Sequence, residues 1–180
     1  WEKEDEGDGF MKLRIKAKIL SVHEKMDVLD ENDEVAYRVS RKAISVHDKT
    51  RIENAAGDEV ASFHAKVPSI HNIYYVEMAN GTSFTMKEEL THLRDHIDVE
   101  ELGWQLRGRN VLAFDFGVFD AEDREIATAH RKLATMHGEY DIDVLDESVV
   151  DEIVALFVVI THIIALRQET ATVPVNQSNN

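Results

Sequence analysis

One segment near the C-terminal end constrains the fold more than any other feature of the chain. Residues 153–166 read IVALFVVITHIIAL, and only Thr161 and His162 interrupt the apolar run. Ser148 lies three residues before Asp151, the pattern of a capping box at the start of a helix. We therefore expect a helix, although many of its residues are β-branched. A helix that is apolar on every side must be surrounded by protein or by lipid.

The length of the apolar run favours protein. Fourteen helical residues rise roughly 21 Å at about 1.5 Å per residue, whereas the hydrocarbon of a bilayer is about 30 Å thick. Thr161 and His162 weaken a lipid-facing interpretation further. We expect a buried core helix and no transmembrane span.

The preceding part of the chain has the pattern of strands joined by polar turns. In residues 12–20 apolar side chains alternate strictly with basic ones, which is typical of a half-buried strand. Turn-forming residues cluster four times, at residues 30–33, 55–58, 79–81 and 120–123. A Ser-Val-His or Ser-Ile-His triplet recurs every 24 residues, and a fourth copy ends in Met-His; the four histidines are His23, His47, His71 and His137. Such a period predicts repeated hairpins that bury one face together.

The recurring histidines have two interpretations. Neutral imidazole is a common metal ligand, so converging copies could form the site of a metal-dependent enzyme. Repeats of a barrel instead spread equivalent positions around its circumference, and His is tolerated at turn positions that favour Gly. The sequence has no HExxH-type ligand pair. We favour turn corners, and we expect no metal, no cofactor and no catalytic residue.

Several segments together resemble the LURP-one-related (YxjI-like) family. They are MKLRIKAKILSVHEKMDVLDENDEVAYRV, KAISVHDKTRIENAAGDEVA, GWQLRG and GEYDIDVLDESVVDEIVALFVVITHII. The family shares the fold of the Tubby C-terminal domain and the phospholipid scramblases. The resemblance implies a mainly β fold, a closed antiparallel β-barrel of about twelve strands around a buried hydrophobic C-terminal α-helix. The resemblance covers residues 11–167, which we expect to form one domain. The acidic residues 1–10 are expected to be an N-terminal extension and the polar residues 168–180 a flexible tail.

The resemblance implies less about function. LURP-one-related proteins have no agreed activity, whereas Tubby domains bind phosphoinositide head groups and scramblases act at membranes. No head-group motif of those relatives aligns with this chain, so no binding residue is carried over. Relatives usually have Gly where this chain has histidine in the Ser-Val-His triplets.

Composition limits the classes of partner. The 35 acidic and 20 basic residues give a formal net charge of −15, which should repel nucleic acid. The chain has no cysteine, which excludes disulfides and thiolate sites and suits a reducing compartment. The N-terminal residues lack the apolar run of a signal peptide. We expect a cytoplasmic protein that can sit peripherally at a membrane, of unknown oligomeric state.

The candidate binding site is a row of four cations on the first strand, namely Lys12, Arg14, Lys16 and Lys18. Alternate residues of a strand are about 6.6–6.8 Å apart, so the row could hold an anionic lipid head group or an acidic protein segment. The alternative is that these cations neutralise surface acids or protect a strand edge.

Other conspicuous residues have a structural and a functional interpretation. Trp104 with Arg107 and Arg109 could form a stacking ligand loop, but we expect Trp104 in the core. His162 is expected to be a hydrogen-bonded core histidine, with a proton switch as the alternative. Asp115 should face outward between two inward phenylalanines.

The functional hypothesis is a non-catalytic binding or scaffold module that contacts an anionic ligand through the basic strand face. The alternatives are a structural or protein-interaction barrel without a small-molecule ligand, and a metal-dependent enzyme that uses the repeated histidines.

Overall fold

The computed structural model describes residues 10–16, 25–42, 49–66, 73–87, 96–110, 115–132 and 139–172. They form twelve strands, two short 3₁₀ helices and one α-helix. The strands are β1 (Met11–Lys16), β2 (Lys25–Asp30), β3 (Val35–Lys42), β4 (Lys49–Asn54), β5 (Glu59–Ala65), β6 (Ile73–Met78), β7 (Ser83–Lys87), β8 (His96–Val99), β9 (Trp104–Asn110), β10 (Asp115–Phe119), β11 (Glu125–Lys132) and β12 (Glu139–Val144). The 3₁₀ helices are Glu100–Leu102 and Glu147–Val149, and α1 is Val150–Thr172.

The strands form a single antiparallel sheet that curls into a nearly closed barrel. Its order is β7-β6-β5-β4-β3-β2-β1-β12-β11-β10-β9-β8. The first and last strands of the chain pair along their whole length, from Met11 opposite Val144 to Lys16 opposite Glu139. Within the described residues, no ladder of hydrogen bonds joins the sheet's two edges, β7 and β8. The predicted mainly β barrel of about twelve strands with one C-terminal helix is confirmed.

The helix lies inside this sheet. All thirteen residues from 153 to 165 are buried, so α1 is covered on every side over more than three turns. The sheet supplies the cover with inward side chains such as Ile15, Val39, Phe63 and Val118. Along each strand, inward apolar side chains alternate with outward polar ones, and a barrel that encloses a helix requires this alternation.

The length of α1 alone does not decide whether protein or lipid surrounds it. The α-helix has 23 residues, and the segment Glu147–Ala165 is long and apolar enough to cross a bilayer. The helix is longer than the apolar run from which its length was estimated. The burial of its apolar side chains, not its length, places it in the protein core.

Four hairpin turns share one backbone geometry, and they coincide with the four predicted turn clusters. They span residues 30–34, 54–58, 78–82 and 120–124. In each, the first residue donates its N–H to the carbonyl of the fifth and accepts from the N–H of the fourth. The fourth residue has positive φ in every case, at Asp33, Gly57, Gly81 and Asp123. This is the pattern of a three-residue hairpin loop that ends in a left-handed residue.

The start of the helix is fixed by side-chain hydrogen bonds. Ser148, the predicted cap, lies inside the 3₁₀ helix Glu147–Val149 that leads into α1. Asp146 caps that 3₁₀ helix, and its Oδ1 accepts from the Ser148 N–H at 3.0 Å. Asp151 accepts a 2.7 Å hydrogen bond from the Tyr37 hydroxyl of β3. Glu152 accepts one at 2.8 Å from the Asn80 side chain in the turn before β7. Burial, then the bond to Asp151, raises the pKa of Tyr37, so its phenol stays a donor.

Tyr37→Phe removes the hydroxyl that holds the first turn of α1 to β3. Because a hydrogen bond to a carboxylate contributes about 1.5–3 kcal/mol, we expect the free energy of unfolding to fall by about 2 kcal/mol in urea titrations. Tyr75→Phe is the matched control, since that residue is only half-buried on β6, and it should change stability by less than about 0.5 kcal/mol. Equal effects of the two substitutions would show that the contact does not anchor the helix.

Candidate functional site

The predicted row of cations lies on the outer face of β1. Lys12 and Lys16 are exposed, and the Arg14 side chain retains 32% of its accessible surface. The intervening Leu13 and Ile15 are buried, so the predicted alternation is confirmed over the described part of this strand. Lys18 lies outside the described residues.

The neighbouring strand β12 places a carboxylate opposite each described cation. Its register sets Asp143 opposite Lys12, Asp141 opposite Arg14 and Glu139 opposite Lys16. Opposite charges at directly facing positions stabilise an antiparallel pair. The row is therefore one half of a cross-strand charge pattern.

Arg14 is the centre of this pattern. Its guanidinium contacts Glu139 at 3.0 Å and Asp141 at 3.4 Å on β12, and it donates to Asp33 in the turn after β2. The hydrogen bond to Asp141 is the main cause that raises the pKa of Arg14. The residue thus links two strands and a turn that lie far apart in the sequence.

Lys132 on β11 shares two of these carboxylates. Its ammonium lies 3.2 Å from Glu139 and 3.0 Å from Asp141, and the hydrogen bond to Asp141 is the main cause that raises its pKa. Four cations and three carboxylates thus alternate across β1, β12 and β11. We call this set the paired-charge surface; its members are Lys12, Arg14, Lys16, Lys132, Glu139, Asp141 and Asp143. An anionic ligand there would compete with carboxylates already in place.

Trp104 and the two arginines of β9 do not form a common loop. Trp104 is buried, with 7% of its surface exposed, as predicted for a core residue. Arg107 is on the outer face, where it pairs with Asp123 and lies 4.2 Å from the centroid of the Phe119 ring. Arg109 pairs with Glu125. These contacts stabilise the β9–β10–β11 surface.

Asp115 takes the outward position expected of it. Its carboxylate accepts from the backbone N–H of Arg131 at 3.2 Å and lies 3.7 Å from the ring of His130. Phe116 is buried, whereas Phe114 lies outside the described residues. Asp115 therefore bridges β10 and β11.

The four recurring histidines, His23, His47, His71 and His137, lie outside the described residues. Their interpretation as turn corners stays a prediction. In the part of the chain that the structure describes, no group of three or more His, Asp or Glu side chains is arranged to hold a metal ion.

His162 lies in the core, as predicted, but the described residues offer no hydrogen bond to its ring Nδ1. The ring packs between Phe63 and Tyr74, with centroids 5.9 and 5.8 Å away. Its Nδ1 is buried and has no hydrogen-bond partner among the described residues. Burial, together with the positive charge of Arg41, lowers the pKa of His162 to about 4.

Sequence reasoning missed a second buried polar group. The Tyr140 hydroxyl also lacks a partner among the described residues, and burial raises the pKa of this tyrosine to about 12. Its inward position follows from the alternation of β12, where Ile142 and Val144 face the same side. The signal available in the sequence was a tyrosine at an inward position of an otherwise apolar strand face, which indicates a buried hydroxyl.

Neutralising Arg14 tests whether the paired-charge surface stabilises the barrel. Arg14→Gln should lower the urea midpoint, and the loss should shrink as NaCl is raised from about 0.05 to about 1 M, because salt screens exposed pairs. Arg38→Gln is the control, because among the described residues Arg38 pairs with a single carboxylate, Asp27. A loss no larger than that of Arg38→Gln would contradict the linking role of Arg14.

The buried imidazole predicts a pH dependence of stability. The pKa of His162 falls from 6.5 to about 4 on folding, so the unfolded chain takes up this proton first as the pH drops. The contribution of neutral His162 is complete above about pH 6.5 and is lost progressively down to about pH 4, by up to about 3 kcal/mol. Both His162→Leu and His162→Gln should therefore reduce the slope of unfolding free energy against pH in this window. An unchanged slope in both variants would show that His162 does not titrate in this way.

Comparison with known proteins finds a matching family model and a similar solved structure. The family model described as LURP-one-related matches residues 11–161. A comparison with curated proteins gives no match. A solved X-ray structure of a protein from Arabidopsis thaliana is similar, with 14% sequence identity and a TM-score of 0.49 over 82% of this chain and 88% of that chain. The family match spans all twelve strands and the first turns of the enclosed helix, and the chain therefore belongs to the LURP-one-related family.

Proposed function

We propose that this domain is a non-catalytic binding or scaffold module that contacts its partners through the outer surface of the barrel. The observation that carries the proposal is the occupation of the barrel interior by α1, whose residues 153–165 are all buried. A ligand inside the barrel would have to share that space with the helix.

The chemistry of the described core supports the same proposal. Catalysis requires an acid, a base or a nucleophile at a reacting centre. The buried titratable groups of the described residues are three tyrosines and His162. One of them, Tyr37, is engaged by Asp151 at the start of the helix. The outer face, by contrast, carries most of the charge.

Within this proposal, Lys12, Arg14, Lys16 and Lys18 contact an anionic lipid head group or an acidic protein segment. Lys12 and Lys16 support it, because both are exposed and lie on one strand face. Arg14 contributes less, because three carboxylates already surround its guanidinium. The two exposed lysines are therefore the residues on which binding depends most.

The charge pairing also favours a second candidate function. If the cations of β1 serve mainly to join β1 to β12, the domain is a protein-interaction barrel without a small-molecule ligand. The register that sets a carboxylate opposite each described cation supports this candidate. In both cases we propose a cytoplasmic location, with peripheral contact to the membrane only in the first.

Vesicle binding separates the two candidates. Phosphatidylserine-containing vesicles should co-sediment the protein more than phosphatidylcholine vesicles do, and the difference should fall with salt. Each lysine near an anionic surface contributes about 1 kcal/mol, so Lys12→Gln combined with Lys16→Gln should weaken binding about 30-fold.

The matched control is Arg38→Gln combined with Arg51→Gln, which removes two outer-face charges from β3 and β4. It should bind vesicles like the unmodified protein. No dependence on anionic lipid, or equal losses in the two double variants, would reject the cation row as the contact and leave the protein-interaction barrel.

A further inference from the structure

The turn between β6 and β7 contains Asn80-Gly81, the single Asn-Gly pair of the chain. An Asn that precedes Gly is chemically labile in water, because glycine has no side chain to keep its backbone nitrogen away from the preceding side-chain amide. Once that nitrogen has lost its proton, it can attack the amide carbon. Asn80 is exposed, so water and hydroxide reach it. The turn is therefore a candidate site of covalent modification.

The reaction in question is deamidation through a cyclic imide. The Gly81 nitrogen bonds to Cγ of Asn80, the bond from Cγ to Nδ2 breaks, and Nδ2 leaves as ammonia with the proton that the Gly81 nitrogen lost. Water then opens the ring. Opening at Cγ leaves an aspartate, and opening at the main-chain carbonyl leaves an isoaspartate, whose main chain runs through the former side chain. The balance requires water alone as co-reactant, and no electrons are transferred.

In the folded chain hydrogen bonds hold all the reacting groups. The Gly81 N–H donates to the Met78 carbonyl at 3.1 Å. The Asn80 Oδ1 accepts from the Thr82 N–H at 2.9 Å, and the Asn80 Nδ2 donates to Glu152 of α1 at 2.8 Å. The proton that must leave and both ends of the side-chain amide thus have partners. The attack therefore requires these bonds to open first.

The bond to Glu152 couples this chemistry to the enclosed helix. Deamidation replaces the Nδ2 donor with a carboxylate oxygen, which cannot donate to Glu152 and repels it at short range. The helix dipole attracts anions at this end, but Asp151 and Glu152 already occupy the first turn of α1. The isoaspartate product also lengthens the backbone of a turn whose hydrogen bonds depend on its length. Both products therefore weaken the contact between the turn and the helix.

We propose that Asn80 is a deamidation site that its contact with α1 keeps unreactive, and that its reaction loosens the start of the helix. The folded barrel reacts slowly, because the attack needs the turn and the helix start to separate. A molecule that opens there and reacts cannot restore the original contact, since the amide has been hydrolysed. The inference goes beyond the proposed function, because it concerns a covalent change of the chain and involves no ligand on the outer face.

The hairpin turn at residues 30–34 is a matched control within the same chain. Asn32 has the same place in it as Asn80 has in the turn at 78–82, and the next residue, Asp33, donates to the first carbonyl of the turn at 3.2 Å. Asp33 and Gly81 both have positive φ. Asp33, however, has a side chain that shields its nitrogen. Asn32 should therefore deamidate much more slowly than Asn80, even in the unfolded chain.

Peptide mapping by mass spectrometry measures both rates in the full chain at mildly alkaline pH, folded and unfolded in guanidinium chloride. Asn80 should deamidate in the unfolded chain. Folding should slow it at least by the factor by which it slows hydrogen exchange of the Gly81 amide, because both reactions begin with loss of the same proton.

Two substitutions test whether the contact with α1 protects the amide. Glu152→Ala removes the acceptor of Nδ2 and should raise the folded-state rate about 2–10-fold. Glu147→Ala is the control, because it removes an exposed carboxylate of the preceding 3₁₀ helix and keeps the acceptor. It should leave the rate unchanged.

Asn80→Asp reproduces the charge of the product and measures its effect on the helix. Hydrogen exchange of the amides of Val154 and Ala155, which bond to carbonyls of the first turn, should become faster. Asn32→Asp adds the same charge at the same turn position and should leave these amides unchanged. Asn80→Asp combined with Glu152→Gln exchanges donor and acceptor, so it should restore the protection.

Two sets of results would overturn the proposal. The first is the absence of deamidation at Asn80 in the unfolded chain, an equal rate in the folded chain, or equal rates in the Glu152→Ala and Glu147→Ala variants. The second is unchanged exchange in Asn80→Asp, or no recovery in the variant that exchanges donor and acceptor.

Discussion

The enclosure of α1 is the constraint on which the rest of the structure depends. A helix whose residues are apolar on every side over 153–165 cannot rest on a flat sheet, because half of its surface would face water. Twelve strands curl around it and present buried side chains from all parts of the ring, among them Ile15, Phe63 and Val118. The helix and the barrel therefore stabilise each other, because each buries its apolar surface against the other.

Joining the two halves of the sheet, β1–β7 and β8–β12, requires contact between distant parts of the chain. The pairing of β1 with β12 makes this contact, and Arg14 reinforces it by bonding to carboxylates of β12 and to Asp33. The same cations that would attract an anionic ligand thus also hold the sheet together. Binding at this row is a competition between an external anion and carboxylates of the protein. The exposed Lys12 and Lys16 contribute less than Arg14 to holding the sheet together.

The sequence allows local patterns to be predicted well, and contacts between residues far apart in the sequence to be predicted poorly. The alternation of Leu13 and Ile15 with cations, the polar turns, and the apolar run of α1 are local patterns, and the structure confirms each of them. The carboxylates around Arg14 could not be predicted, because the register of β1 against β12 joins residues 127 positions apart. Among the described residues, the lack of a hydrogen-bond partner for His162 Nδ1 depends in the same way on Phe63 and Tyr74, which come from two other strands. Asp146 and Ser148 are both good capping residues, and only the backbone geometry shows that Asp146 caps a short 3₁₀ helix ahead of α1.

Hydrogen exchange of the α1 backbone measures the central claim most directly. If the barrel encloses the helix, the amides of residues 153–165 can exchange only when the whole domain unfolds. These amides should then exchange most slowly in the chain, and the free energy of opening calculated from their exchange should equal the global free energy of unfolding. Anionic vesicles should leave their exchange rates unchanged. Exchange of these amides well above the global unfolding rate, or a change in their protection when vesicles are added, would contradict a helix held inside the barrel.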